Sequence, residues 1–277
     1  MMAAAVSRLR RKCFVIIAVL AVVCAVLPVL VVLQSRNGST ELVILMYHQI
    51  ADSGDSAYTV SCKKLERDLK YISESDYTVV PFARVIDYVD GKASLPGKPM
   101  CIVFDDGYAS SCDILLPLLE KYDTCAAVSV IGSMTHRELG HITLADAAAM
   151  ESSGRVTVIS HTYAMHMNEG DSSEKLRTNA ARRSDETDAQ FEAAFRADCK
   201  QMTAVMRSSL GHAPIAFAYP HGVSDPVAEK VLTEMGVRMT LITEAGKNVI
   251  ERGNADSLRL LKRYNVNEAV NIGDILD

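Results

Sequence analysis

The stretch Met100-Cys101-Ile102-Val103-Phe104-Asp105-Asp106-Gly107 passes from an apolar run directly into two carboxylates and a glycine. A short apolar run with β-branched residues, preceded here by Pro99, predicts a buried strand that ends at the carboxylates. Residues 156–160 have the same character, and His161 and His166 follow them. Oxygen and nitrogen ligands at the ends of two strands can hold a divalent metal and leave coordination positions open for water. The pattern therefore favours a metal-assisted hydrolase.

Strands and helices alternate along the rest of the chain. Apolar runs predict strands near 42–47, 77–80, 100–104, 126–131, 156–160, 215–219, 239–242 and 258–261. Helix-spaced apolar residues lie between most of these runs, including a long segment at about 188–210. The alternation predicts a parallel α/β arrangement, and seven or eight repeats favour a closed (β/α) barrel. An open, doubly wound sheet is the alternative.

Four predicted strands are each followed at once by polar groups. These groups are Tyr47-His48, Asp105-Asp106, His161 and Tyr219-Pro220-His221-Gly222. In a parallel barrel the carboxyl ends of all strands open on one face, so that residues far apart in sequence converge there.

The two aspartates and two histidines suggest a division of roles. At a strand end one carboxylate can ligate a metal while its neighbour serves as a base beside the bound water. His161 and His166 are five residues apart, which on a helix would turn them about 140° from each other, so they need an irregular loop to share an ion. A carboxylate with two imidazoles suits zinc or a similar first-row ion. The alternatives are a solvated turn at Gly107 and two unrelated surface histidines.

The N-terminal region predicts a membrane anchor. Residues 14–33 contain no charged or strongly polar side chain, and a helix of that length spans about 30 Å, the thickness of the hydrocarbon core. Basic residues precede the apolar run (Arg8, Arg10, Arg11 and Lys12). The positive-inside rule then makes residues 1–13 cytoplasmic, residues 34–41 a linker and residues 42–277 an extracytoplasmic domain. A cleaved signal and a buried core helix are the alternatives.

The charge balance of the main domain argues against nucleic acid as a partner. Residues 1–36 hold five of the 29 basic residues and no acidic one, so the remainder has 24 basic against 34 acidic residues, a net charge of −10. Nucleic-acid binding depends on cationic contacts to phosphate, which this balance disfavours.

The seven cysteines show no Cys-x-x-Cys spacing, which disfavours a cysteine zinc site.

Three strings resemble the leading motifs of the polysaccharide deacetylases (carbohydrate esterase family four, the NodB-homology domain). They are Phe104-Asp105-Asp106-Gly107, Ser160-His161-Thr162-Tyr163 through His166, and Phe217-Ala218-Tyr219-Pro220-His221-Gly222. The resemblance covers residues 42–266 and implies a distorted (β/α) barrel of about seven parallel strands. It also implies removal of acetyl groups from glycans by a metal-bound water. In that scheme Asp105 is the general base, and Asp106, His161 and His166 bind the metal. The turn of Tyr219, Pro220, His221 and Gly222 contacts the substrate, with the His221 amide at the oxyanion.

The chain also departs from the common family pattern. Ala218 stands where many members have an arginine that orients the base, and the segment Leu260-Leu261-Lys262-Arg263-Tyr264 lacks the late histidine that protonates the leaving amine. The early Tyr47-His48 is closer to the poly-N-acetylglucosamine deacetylase branch, which implies that His48 is the general acid. Arg263 is a candidate to support Asp105 in place of the missing arginine.

These features together predict a membrane-anchored, extracytoplasmic N-deacetylase. Its substrate would be peptidoglycan or a secreted N-acetylglucosamine polymer, and its cofactor a divalent metal, Zn²⁺ first, with Co²⁺ or Ni²⁺ as other candidates. A glycan-binding module without turnover and a metal amidase acting on small non-sugar amides are the alternatives.

Tyr108 is a candidate to line the sugar groove. The remaining histidines (His136, His141 and His212) are expected at the surface.

Overall fold

The computed structural model describes residues 38–54, 56–166 and 177–277 of the 277-residue chain. Its strands are β1 (Ser39–Tyr47), β2 (Gln49–Ala51), β3 (Thr59–Ser61), β4 (Thr78–Val79), β5 (Pro99–Phe104), β6 (Ala126–Val130), β7 (Val156–Ser160), β8 (Ala216–Ala218), β9 (Met239–Leu241), β10 (Asn248–Glu251) and β11 (Tyr264–Asn265). Its α-helices are α1 (Cys62–Glu74), α2 (Phe82–Val89), α3 (Leu116–Lys121), α4 (Leu144–Ser152), α5 (Asp188–Leu210), α6 (Pro226–Glu234) and α7 (Gly273–Leu276).

A curled parallel sheet forms the centre of the domain. Strands β1, β5, β6, β7, β8 and β9 lie side by side in that order, and each neighbouring pair is parallel. Residues 261–266 connect the two ends of this series, because the Leu261 N–H donates to Thr240 O of β9 and the Val266 N–H donates to Met46 O of β1, each at 2.8 Å. The predicted parallel α/β architecture is confirmed, as a curled sheet of half-barrel form.

Both faces of the sheet are buried, as expected where helices cover a parallel sheet. Alternate residues of β1 enter different cores, because Val43 and Leu45 pack in the cluster that contains helix α1, while Leu42 and Ile44 pack in the cluster that contains helix α2. A third cluster joins β8 to helices α5 and α6. The continuous apolar runs in the sequence follow from this two-sided burial.

Helix α5 is well delimited by its sequence. Thr187 and Gln190 form a capping box at its start, and Gly211 adopts a left-handed conformation just past its end, with φ of 83°. These are the residue types that satisfy the free N–H and C=O groups of helix ends. The 23-residue helix contributes Phe191 and Phe195 to the cluster of β8, and Met202 and Met206 to the cluster that contains β7 residues.

Several predicted boundaries need correction. Strand β1 begins at Ser39, so Ser39–Glu41 belong to the sheet, paired with β10, and not to a linker. The strand expected at 258–261 is a 3₁₀ turn at Ala255–Leu258 followed by a single bridge at Leu261. Strand β10 escaped prediction, because it is four residues long and only alternate residues are buried.

The predicted anchor, residues 14–33, lies outside the described residues, as do residues 1–13 and the first half of the expected linker, residues 34–37. Among the residues that the structure describes, no helix is long and apolar enough to cross a bilayer.

Candidate metal-dependent active site

The predicted site residues meet at the carboxyl ends of the parallel strands. Strands β1 and β5 pair in register from Val43↔Met100 to Tyr47↔Phe104, and the Asp105 N–H continues the ladder to Tyr47 O at 2.9 Å. His48 and Asp105 therefore leave adjacent strands at the same level. A cleft of about 330 Å³ opens there, and its walls include His48, Asp105, Asp106, His161, His166 and His221.

Asp106, His161 and His166 form a group that could hold a metal ion. The Asp106 Oδ1 atom lies 3.3 Å from His161 Nε2 and 3.4 Å from His166 Nε2, and one ligand atom from each residue lies within 4.8 Å of the others. Among the described residues the buried Asp106 Oδ1 has no hydrogen-bond donor. A buried carboxylate oxygen without a donor, facing two imidazoles, is a donor set that suits a divalent first-row cation.

The hydrogen bond at His161 Nδ1 and the charge state of His166 also suit a cation. His161 Nδ1 lies 2.8 Å from Ala218 O, a contact that makes Nδ1 the protonated nitrogen and leaves Nε2 free as a ligand. Burial, together with the neighbouring His161, lowers the pKa of His166 to about 4, so its imidazole is neutral near pH 7. Metal ligands need a neutral imidazole and an ionised carboxylate.

Asp105 is held by a buried arginine. Arg263 is fully buried, and its Nη1 atom lies 2.9 Å from Asp105 Oδ1 and 2.8 Å from Asp105 Oδ2. Ser129 donates its Oγ–H to Asp105 Oδ1 at 2.6 Å, and the Arg263 Nε–H donates to Ile242 O at 2.9 Å. Burial is the largest influence on Asp105 and opposes its ionisation, but the charge of Arg263 together with those of His161 and His48 outweighs burial, and the pKa of Asp105 falls below its usual value. Asp105 is therefore a carboxylate that can accept a proton.

Arg263 belongs to residues 261–266, the segment after β10 that hydrogen-bonds to both β9 and β1. Its side chain reaches Asp105 from there. Its amide N–H donates to Glu244 O at 2.9 Å, and this anchors its backbone beside the strand ends. Ala218, where the family resemblance led us to expect an arginine, is a small buried residue of β8. The guanidinium beside Asp105 thus comes from a residue that follows β9 and β10 in the chain.

His48 lies in the same cleft but is not part of the triad. Its Nδ1 atom is buried and has no partner among the described residues, and its ring meets Tyr58 edge-on with ring centroids 4.9 Å apart. Burial lowers the pKa of His48, and the charges of Asp105 and Asp106 oppose the shift. Tyr58 is 57% exposed at the cleft wall, where a flat ring is open to a ligand.

The four-residue turn after β8 is divided between the cleft and the core. His221 faces the cleft, with its ring centroid 4.6 Å from that of His166. The Tyr219 side chain is fully buried in the cluster of α5 and α6, and its hydroxyl donates to Glu229 Oε1 at 2.8 Å. Pro220 is buried as well, and Gly222 packs against Thr243. The Tyr219 ring therefore points to the helix layer, and the expected substrate contact of this turn stays a prediction.

Three turns of the site contain non-glycine residues in the left-handed region. Asp106, Thr162 and His221 have φ values of 71°, 73° and 56°. Such conformations cost of order 1–3 kcal/mol each and persist where the surrounding structure fixes them. Each follows a different strand of the sheet, so the strain is concentrated at the cleft.

Two features of the site escaped sequence analysis. Ser129, a buried polar residue inside the apolar run of β6, contacts Asp105, and its position in that run was the available signal. His141 was expected at the surface but is buried, with its ring stacked on Tyr108 at 5.1 Å. Tyr108 lies in the cleft as expected, and burial together with Asp106 raises its pKa to about 12.

The profile of the family described as polysaccharide deacetylase matches residues 92–240, more than half of the chain. The chain belongs to the polysaccharide deacetylase family. The matched residues run from the loop before β5 to β9 and include Asp105, Asp106 and both histidines of the triad. The resemblance inferred from the three motifs is thereby confirmed.

Curated proteins similar to this chain include the poly-β-1,6-N-acetyl-D-glucosamine N-deacetylase of Escherichia coli K12. The two sequences are 25% identical over 229 residues. That alignment covers 74% of this chain and 34% of the relative, so the chain spans about a third of the relative's length. A Bacillus subtilis protein named as a polysaccharide deacetylase, YxkH, is 35% identical over 125 residues, which is 44% of this chain and 42% of that protein.

Solved structures show the same fold. IcaB from Ammonifex degensii superimposes with a TM-score of 0.69 and 26% identity, and the match covers 82% of this chain and 92% of that structure. A de-N-acetylase from Aggregatibacter actinomycetemcomitans superimposes with a TM-score of 0.70 at 20% identity, over 85% and 98% of the two chains.

Proposed function

We propose that this chain is a metal-dependent N-deacetylase that releases acetate from polymers containing N-acetylglucosamine. The observation that carries the proposal is the position of an arginine-held carboxylate, Asp105, beside the triad of Asp106, His161 and His166. The E. coli relative's name, a poly-β-1,6-N-acetyl-D-glucosamine N-deacetylase, supports the substrate class.

Asp106, His161 and His166 would hold the divalent cation, Zn²⁺ first, with Co²⁺ and Ni²⁺ also compatible with the ligand types. When bound, such an ion supplies Lewis acidity and lowers the pKa of a coordinated water toward neutrality. The chain supplies what surrounds it: two oriented imidazoles and a carboxylate buried beside them.

The proton transfers fall to Asp105 and His48. Asp105 takes the proton of the attacking water as general base, since Arg263 and Ser129 keep it ionised and fixed. His48, on the adjacent strand end, delivers a proton to the departing amine as general acid. We assign to the His221 backbone N–H the donation to the oxyanion that develops on the acetyl group.

The cleft walls suggest how a sugar is bound. Tyr58 and Tyr108 line the cleft beside these groups, and the chain contains no tryptophan. We assign stacking on the sugar ring to these two tyrosines, since an aromatic ring covers an apolar face at low conformational cost.

We also propose that residues 14–33 anchor the protein as a single-pass membrane helix, with the catalytic domain extracytoplasmic. The charge asymmetry around the apolar run supports this topology. It would hold the active site near peptidoglycan or a secreted polymer. Membrane fractionation and protease accessibility of intact cells test it, and a domain protected from added protease would refute it.

The catalytic proposal is tested by acetate release from N-acetylglucosamine oligomers with the purified, zinc-loaded protein. Asp106→Ala is the matched control, since it removes a ligand at the same site. Turnover by the unaltered protein and none by the variant is the expected result. Oligomer binding without turnover would identify a glycan-binding module instead, and turnover of small non-sugar amides alone would identify an amidase.

A further inference from the structure

The loop between the two histidines of the triad is fixed by its backbone. The Gly132 N–H donates to Thr162 O at 3.1 Å, and the Ser133 N–H donates to Tyr163 O at 2.7 Å. These bonds extend the β6–β7 pairing into the loop and satisfy its carbonyl groups on one side. A Cβ on Gly132 would lie 2.5 Å from the Tyr163 ring and 3.0 Å from Met202 Sδ, so the loop packs tightly between β6 and helix α5.

One carboxylate holds the other side of this loop. Asp198 Oδ2 accepts the Tyr163 N–H, and Asp198 Oδ1 accepts the Ala164 N–H, each at 2.8 Å. Both amides belong to residues between His161 and His166. We call residues 162–165, between the two histidines, the ligand loop. The Asp198 side chain of helix α5 thus accepts hydrogen bonds from two consecutive N–H groups at the middle of this loop.

The position of Asp198 in its helix is unusual for a charged residue. It is 7% exposed and stands in the buried stripe of α5, whose other members are apolar (Phe191, Phe195, Cys199, Met202 and Met206). A buried carboxylate needs hydrogen bonds to offset its loss of hydration, and here both oxygens receive one from the ligand loop. An aspartate at this spacing in an apolar helix face is also visible in the sequence.

The arrangement of the two N–H donors at Tyr163 and Ala164 favours a carboxylate at position 198 over other side chains. Two consecutive N–H groups need two acceptors, which an ionised aspartate provides, while an asparagine offers one oxygen and turns its NH₂ toward the other donor. An alanine leaves both N–H groups buried without a partner. The loop would then relax, and the distance between the two imidazoles would no longer be fixed.

We propose that Asp198 is a positioning residue that sets the spacing of His161 and His166 and thereby the affinity of the triad for a divalent cation. The inference rests on the metal assignment in the proposed function. Outer groups that orient metal ligands typically change metal affinity by about 10–100-fold when they are removed, and we expect a loss in this range for Asp198→Ala. Asp198→Asn keeps one acceptor and should lose less.

The test is a zinc titration of metal-stripped protein against a chromophoric chelator, together with the visible absorption of the Co²⁺ form. Asp68→Asn is the matched control, because Asp68 is equally buried, at 5% exposed, but its partners Lys64 and Tyr47 lie outside the ligand loop. Both Asp198 variants should bind zinc more weakly and show an altered Co²⁺ spectrum, while the control keeps the affinity and the spectrum of the unaltered protein.

A urea midpoint for each metal-free variant separates positioning from folding. If Asp198→Ala does not fold, Asp198→Asn decides the matter, since it preserves volume. Unchanged zinc affinity and Co²⁺ spectrum in a folded Asp198 variant would overturn the proposal and leave the metal assignment intact. An unaltered protein that binds no zinc would instead refute the metal assignment and this inference with it.

Discussion

The contact between Arg263 and Asp105 makes a quantitative prediction about pH dependence. Arg263→Met removes the fully buried guanidinium whose Nη1 lies within 2.9 Å of both carboxylate oxygens. A neighbouring arginine lowers the pKa of an aspartate by about 1–3 units, and each unit corresponds to about 1.4 kcal/mol. Ser129 still donates to Oδ1 in the variant, so part of the stabilisation of the carboxylate remains.

The sign follows from the role of Asp105 as a base. The folded-state pKa of Asp105 is lowered, so the carboxylate persists down to a lower pH than an ordinary aspartate. Without Arg263 the pKa rises, and the acidic limb of kcat/KM should move to higher pH by about 1–3 pH units. The same pair stabilises the fold above the unfolded pKa of aspartate, and this contribution is lost as the pH falls through the folded pKa.

The assay is acetate release from N-acetylglucosamine oligomers measured from acidic to alkaline pH. Arg259→Met is the matched control, because Arg259 forms a partly buried pair with Glu229 at 2.7 Å outside the cleft. Both substitutions should lower the free energy of unfolding, but only Arg263→Met should move the acidic limb. Coincident pH profiles for Arg263→Met and the unaltered enzyme would refute the argument, even if kcat had fallen.

Three further predictions concern other parts of the site. Gly222→Ala should destabilise the fold by more than the roughly 1–2 kcal/mol cost of a left-handed residue, because its Cβ would lie 2.7 Å from the Thr243 backbone nitrogen. Gly236→Ala, with φ of 84° and open space around it, should show that cost alone, and equal unfolding midpoints would contradict the steric reason. His48→Ala should retain zinc but lose acetate release, so a parallel loss of zinc would remove His48 from the acid role. Asp106→Ala should abolish zinc retention after dialysis, and full retention would place the ion elsewhere.

Local sequence pattern was sufficient for the central parallel strands and for the motifs at their ends, but not for the short strands β2, β3, β10 and β11. The runs that became β5 and β7 are short, apolar and buried on both faces, so their composition marks them clearly. Strand β10 was missed, because pairing at a sheet edge depends on a partner strand that the local sequence does not reveal. The strand expected at 258–261 is instead a 3₁₀ turn followed by a single bridge at Leu261. Asp106 and the two histidines were found because each follows a strong strand signal.

The support around these residues depends on contacts between distant parts of the chain, although Arg263 was named from the sequence as a candidate partner of Asp105. Arg263 and Asp105 are separated by 158 positions, and their contact exists because residues 261–266 hydrogen-bond to β9 on one side and to β1 on the other. Ser129 reaches Asp105 because β5 and β6 are neighbours in the sheet. The direction of the Tyr219 ring was decided by a polar partner, Glu229, on a helix that packs against β8.

The sequence by itself thus determined the alternation of strands and helices, the ligand types and their positions at strand ends, since burial and metal chemistry act on local composition and spacing. Only the tertiary structure decided that Arg263 faces Asp105 and that Asp198 accepts the N–H groups of the ligand loop. It also decided that His221, and not Tyr219, enters the cleft from the turn after β8. Those contacts depend on the curl of the sheet and on helix packing, which bring together side chains that no spacing along the chain relates.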